Sequence, residues 1–155
     1  MKNKLIDILL YVISAELIGV VSALLSGGFS GFFDVYIEPP LLPPAWLFPV
    51  VWTILYAVMG YSAYLDSTAS ETKSVKYALS VYWVQLMVNF SWSIVFFRFE
   101  SLWGALAVIV LLLILIIAMI SAFRKVSSKA AYINIPYLLW VMFAAYLNLA
   151  TAIIN

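Results

Sequence analysis

The chain has no cysteine and no histidine. The first absence rules out a disulfide framework and thiol chemistry. The second removes the commonest zinc ligand and the commonest axial haem ligand, so no metal site is expected. Charge is scarce as well. Only 10% of the residues are Asp, Glu, Lys or Arg, where a soluble domain carries roughly a quarter. A net charge of +1 offers no basic patch for nucleic acid. No low-complexity tract, internal repeat or soluble domain interrupts residues 1–155, which are read as one membrane domain.

What fills the chain instead is apolar and aromatic. Hydrophobic residues make up 66% and aromatic residues 17%, including six Trp and ten Tyr. That composition assigns an integral, multi-pass membrane protein with the lipid bilayer as its first partner. A bilayer core of ~30 Å needs about 20 apolar residues per helix. Five such runs are present, at about residues 5–25, 45–65, 77–97, 102–123 and 130–153. The first resembles a signal peptide, but its length and the lack of a convincing cleavage site keep it as a helix. The fold class is therefore all-α, a five-helix transmembrane bundle. Its one long loop, residues 26–44, is too rich in Gly, Ser and Pro for a helix. Phe29, Phe32, Phe33, Tyr36 and Ile37 make it too apolar for a solvated linker, so it is expected to fold back as a lid.

Orientation follows from the basic residues. With the N-terminus inside, the cytoplasmic segments hold Lys2, Lys4, Lys73, Lys76, Arg124, Lys125 and Lys129, and the opposite side holds Arg98 alone. Positive charge marks the cytoplasmic side, which places the lid and the C-terminus outside, in a prokaryotic cytoplasmic membrane.

The chain is organised around residues 38–60, EPPLLPPAWLFPVVWTILYAVMG. Its prolines stiffen the approach to the second span. Pro49, Trp52, Tyr56 and Gly60 then recur at spacings of three and four, along one helical face. Gln85, Asn89, Trp92 and Phe96 share a face of the third span. Tyr137, Trp140, Ala144 and Asn148 share one of the fifth, where Pro136 predicts a local bend. At ~1.5 Å per residue, Trp52, Asn89 and Trp140 fall at one depth. Aromatic walls with a few donors suit a flat, mostly apolar ligand; amides holding helices together are the competing reading. In the first span, Ala15, Gly19, Ala23 and Gly27 form a ladder for close helix approach. Glu16 lies beside it, at an insertion cost of about 2.5–3.5 kcal/mol, and should face the bundle. A structural hydrogen bond to a neighbouring helix and a ligand or proton role are its two readings.

Three motifs in order, PPAWLFPVVWTILYAVMG, VQLMVNFSWSIVFF and IPYLLWVMFAAYLN, resemble the signatures of the TspO/MBR family, and the resemblance covers essentially the whole chain. These are the tryptophan-rich sensory proteins of bacteria and the translocator protein of mitochondria, also called the peripheral benzodiazepine receptor. The resemblance implies a bundle, often a homodimer, that binds porphyrins and benzodiazepine-type ligands and requires no cofactor. It carries the pocket over to Trp52, Tyr56, Asn89, Trp92, Trp140 and Ala144, with Phe33 added from the lid. The chain departs from the family in the first loop. Phe32–Phe33 and Glu38–Pro39 stand where a Trp-Tyr pair and a Lys-Pro pair are usual, which weakens porphyrin chemistry more than porphyrin binding. Nothing basic follows Tyr146, so no sterol recognition is expected.

Binding and sensing of tetrapyrroles is the leading functional expectation. Transport of such ligands is the alternative, with Glu16 the acidic residue deep in a span. A light-dependent porphyrin-degrading enzyme is the third class and would rest on Trp52 and Trp140. No acid–base pair or metal set is present for other catalysis, and no catalytic residue is assigned.

Overall fold

The computed structural model describes residues 3–27, 31–69 and 73–155. Lys2 of the charge argument and Phe29 of the lid lie outside the described residues. The helices are α1 (Lys4–Ser26), α2 (Phe32–Val35), α3 (Leu47–Ser67), α4 (Lys73–Ser93), α5 (Leu102–Arg124), α6 (Ser128–Tyr132) and α7 (Ile135–Ile154). α4 runs on into a π-helical turn over Ile94–Arg98. Five units are long and apolar enough to cross a membrane: α1, α3, α4 with its π-turn, α5, and α6 with α7. The protein is a multi-pass, five-helix membrane bundle.

Helix ends follow local chemistry. Asn3 caps α1 by accepting from the Leu5 amide at 3.3 Å, and Ser127 caps α6 by accepting from Ala130 at 3.3 Å. The third span begins at Lys73, four residues earlier than the apolar run, because a helix continues into the polar interface where its lysines are solvated. The fifth span is two helices. Pro136 has no amide to donate and sits in the first turn of α7, where none is needed. Asn134 fills the joint, its side-chain amide donating to the Ala130 carbonyl at 2.8 Å. The bend expected at Pro136 is thus a break in the helix.

The ring order is α1, α3, α7, α5, α4 and back to α1. α1 and α3 pack most closely at Gly60, where an added Cβ would lie 2.6 Å from the Val12 Cα and 2.7 Å from the Tyr11 carbonyl oxygen. Gly19 receives the Tyr56 ring in the same way. The small-residue ladder holds for Ala15 and Gly19 only; Ala23 and Gly27 are exposed, and Ser22 and Ser26 are buried in their place. The reason is pitch. A strict four-residue step drifts by about 40° per step from a 3.6-residue turn, so the contact stripe runs 15, 19, 22, 26.

Asp66 also differs from the reading of the sequence, which put it in the polar link after the second span. It is the penultimate residue of α3, on the inward stripe with Leu55, Met59 and Ala63, and it is fully buried. Neither of its carboxylate oxygens has a hydrogen-bond partner.

The long loop does contain one helical turn, α2, entered from Gly31 in the left-handed conformation (φ 82°). The loop docks rather than dangles. Phe32 is buried among Tyr36, Phe96 and Phe97, with ring centroids 4.7, 4.9 and 5.1 Å away. The Tyr36 hydroxyl donates to Glu100 at 3.0 Å. Asn155 clamps the Ile37 backbone, accepting from its amide at 2.8 Å and donating to its carbonyl at 3.2 Å. Tyr146 donates to the Pro40 carbonyl at 3.2 Å. These bonds tie the loop across the ends of α4 and α7 as a lid.

Candidate functional site

Beneath the lid, a cavity of about 350 Å³ opens between α1, α3 and α4. Its aromatic walls are Phe48, Trp52, Tyr56, Trp92 and Phe97, and Gly19 and Ala45 leave room beside them. Its polar lining residues are Ser22, Ser26, Asn89, Ser93 and Tyr56, beside the indoles of Trp52 and Trp92. Ala23, Ala45 and Pro49 belong to the lining and are exposed on the bundle's apolar flank. The cavity therefore faces the bilayer sideways, between the lid-end halves of α1 and α3.

The polar side chains behind the cavity form one chain of hydrogen bonds. Tyr56 donates to the Asn89 carbonyl oxygen at 2.9 Å, and the Asn89 amide donates to the Tyr137 hydroxyl at 2.7 Å. Tyr137 in turn donates to Gln85 Oε1 at 2.8 Å, and Gln85 Nε2 lies 3.7 Å from Met59 Sδ. Three spans, α3, α4 and α7, are joined this way. A second link starts at Trp92, whose Nε1 donates to Asn148 Oδ1 at 3.1 Å; Asn148 Nδ2 donates to the Leu102 carbonyl at 2.9 Å. The amides thus hold helices together, as the competing reading had it. An amide has two donors and two acceptor positions, so Asn89 keeps one N–H and one lone pair for the cavity it lines.

Ser22 acts at the junction of α4 and its π-turn. It donates to the Phe90 carbonyl at 2.7 Å and pairs with the Ser93 hydroxyl. The Phe90 carbonyl thus takes a bond from another helix about one turn before the π-turn begins.

The residues singled out from sequence therefore divide. Trp52, Tyr56, Asn89 and Trp92 line the one cavity. Ala144 and Phe33 meet Trp92 instead at a second void of only about 30 Å³, under the lid and against α7. Trp140 is not in the cavity lining. Its ring packs on Phe48 at 5.9 Å and Phe143 at 5.8 Å, and its buried Nε1–H has no acceptor. Trp52 instead meets Tyr137, 6.5 Å between rings, which sets it level with Asn89 and leaves Trp140 one turn nearer the lid. Glu16 lies against α3 at Ala57, half-buried and outside the cavity lining.

Sequence reasoning passed over Phe48, Ser22, Ser26, Ser93 and Phe97 as cavity residues. The serines carried a signal, since Ser22 and Ser26 lie three and seven residues after Gly19 on its face. Phe97 carried none, because regular helix spacing points it away from Trp92 and only the π-turn brings it round.

The TspO/MBR family model matches residues 9–154. The chain belongs to the TspO/MBR family. The tryptophan-rich protein TspO of Chlorobaculum tepidum is 39% identical over 127 residues, 81% of this chain and 80% of that one. The tryptophan-rich sensory protein of Cereibacter sphaeroides is 32% identical, covering 80% of this chain and 77% of its own. The human translocator protein is 34% identical over 72% of this chain and 67% of its own. In this TspO/MBR chain the cavity and the hydrogen-bonded core behind it are built from the three motif-bearing spans together with α1, and the lid is the first loop.

Proposed function

We propose that this TspO/MBR protein is a membrane receptor that binds flat, apolar ligands, porphyrin-type tetrapyrroles and benzodiazepine-type compounds, in the cavity between α1, α3 and α4. The observation that carries the reading is an aromatic-walled cavity of about 350 Å³ with a single amide, Asn89, in its wall. That volume lies at the small end of the range of about 300–1,000 Å³ typical of ligand pockets. Stacking on Trp52 and Trp92 supplies affinity, and the remaining Asn89 N–H orients one acceptor of the ligand.

The exposed rim at Ala23, Ala45 and Pro49 favours exchange of ligand with the bilayer rather than with water. The same opening gives the translocator reading its one structural support, and flux of protoporphyrin IX into proteoliposomes tests it separately. For the receptor reading, the test is protoporphyrin IX titration followed by tryptophan fluorescence. Losing one aromatic wall removes about 0.5–1.5 kcal/mol of stacking, so Trp52→Phe should weaken binding about three- to tenfold. Trp46→Phe and Trp103→Phe, at positions 65% and 61% exposed, should leave it within twofold. Equal losses at the exposed and the cavity tryptophans would place the ligand elsewhere.

A further inference from the structure

The polar groups that line the cavity have mostly spent their hydrogens. Ser22 donates its one proton to the Phe90 carbonyl, so in its pair with Ser93 it is the acceptor. Ser26 donates to the Ala23 carbonyl at 2.8 Å. Tyr56 donates to Asn89, and the Trp92 indole to Asn148. One N–H of Asn89 and the Trp52 indole are the donors left in the described lining. The rest of its polar character is oxygen lone pairs and the electron-rich faces of aromatic rings.

The charges around the cavity point the same way. No charged residue belongs to the described lining. Glu16 lies one turn from Gly19 on α1 and against α3 at Ala57, where its charge bears on the Tyr56 phenol. No Lys or Arg occurs between Lys4 and Lys73, the stretch that supplies α1, the lid and α3. That stretch holds Asp7, Glu16, Asp34, Glu38, Asp66 and Glu71. The third wall, α4, adds Arg98 in its π-turn, and that side chain is exposed at the lid end.

We propose that the cavity selects flat ligands carrying one positive charge, protonated or quaternary aromatic amines, with Glu16 as counter-charge and Trp52, Tyr56 and Trp92 as walls. Indole and phenol faces attract a cation, most strongly where water is excluded. In so apolar a setting a carboxylate acts over a longer range than it would in water. A tetrapyrrole that bears carboxylates keeps them at the open flank, by Ala23 and Ala45. The proposal rests on the ligand-binding reading above and adds the sign of the charge accepted.

Three probes of one shape test it: 10-methylacridinium is cationic, 9-methylanthracene neutral and anthracene-9-carboxylate anionic. Each is titrated against the full-length protein in phosphatidylcholine nanodiscs by tryptophan quenching, and empty nanodiscs correct for partition into lipid. The cation should bind roughly tenfold or more tightly than the anion, with the neutral probe between them. Glu16→Gln should lower the cation-to-neutral affinity ratio by about threefold or more. Asp7→Asn, in the first turn of α1, should leave that ratio as it is. If Glu16→Gln lowers the melting temperature, Ala23→Lys at the open flank serves, moving the cation-to-anion ratio towards the anion. Equal affinities for cation and anion, or an unchanged ratio in these variants, overturn the charge selection while leaving the receptor reading intact. Failure of all three probes to bind the wild-type chain overturns the receptor reading, and the selection with it.

Discussion

At the scale of single residues, the buried polar groups fall into two kinds. Tyr56, Asn89, Tyr137 and Gln85 satisfy one another, and in a membrane such interhelical bonds contribute roughly 0.6–2 kcal/mol each. Asp66 has no such partner. A buried polar group without a hydrogen bond costs roughly 1–3 kcal/mol, more when charged, and an apolar side chain of similar size removes the cost. Asp66→Leu is therefore expected to raise the thermal stability of the reconstituted protein, read by a melting curve in nanodiscs. A clear loss of stability would mean that Asp66 holds a partner essential to the fold.

At the scale of elements, the α1–α3 contact and the lid are the two that shape the site. An alanine at Gly60 would drive its Cβ into the backbone of α1 at Val12 and Tyr11. Backbone cannot step aside as a side chain does, so Gly60→Ala should cost about 1–3 kcal/mol and lower ligand affinity by parting the cavity walls. Gly104→Ala meets chiefly the side chain of Ser101 and should cost less in the same melting assay; the reverse order would show that the crossing is soft. The lid has a chemical handle in Tyr36. Its hydrogen bond to Glu100 raises the phenol above its ordinary value near 10, with burial and repulsion by the Glu100 carboxylate adding in the same direction. The neutral phenol is the form the docked lid favours. The bond is complete below pH 10 and is lost as pH rises through the raised value. The ligand off-rate should climb above pH 10 in the wild type, and Tyr36→Phe should be fast and flat over that interval. An unchanged off-rate in Tyr36→Phe would show that this bond does not hold the lid.

At the scale of the whole molecule, the two ends of the bundle differ in charge. The end that carries the lid has Asp34, Glu38 and Glu100 against Arg98, and the other end carries Lys4, Lys73, Lys76, Arg124, Lys125 and Lys129. By the positive-inside tendency, a reporter fused after Asn155 should read as outside, and one inserted between residues 69 and 73 as inside. The opposite result at either position would overturn the proposed orientation. It would also move the sideways opening of the cavity to the other leaflet.

The sequence by itself determined the class, the five spans and the inward face of the third span and most of that of the fifth. Hydropathy and 3.6-residue periodicity are local properties, and they are strong in a chain with so little charge. The faces bearing Gln85, Asn89 and Trp92, and Tyr137, Ala144 and Asn148, are buried as their spacing indicates. Tertiary structure alone decided what those faces meet. Whether Asn89 serves a ligand or Tyr56 and Tyr137 depends on the rotation and height of three helices, which no single helix encodes. The small-residue ladder bent to Ser22 and Ser26 because contact follows the true helical pitch. Trp140 and Trp52 parted because the broken fifth span sets its own level. Phe97 reached the cavity through a π-turn, a local widening that repeats no sequence period.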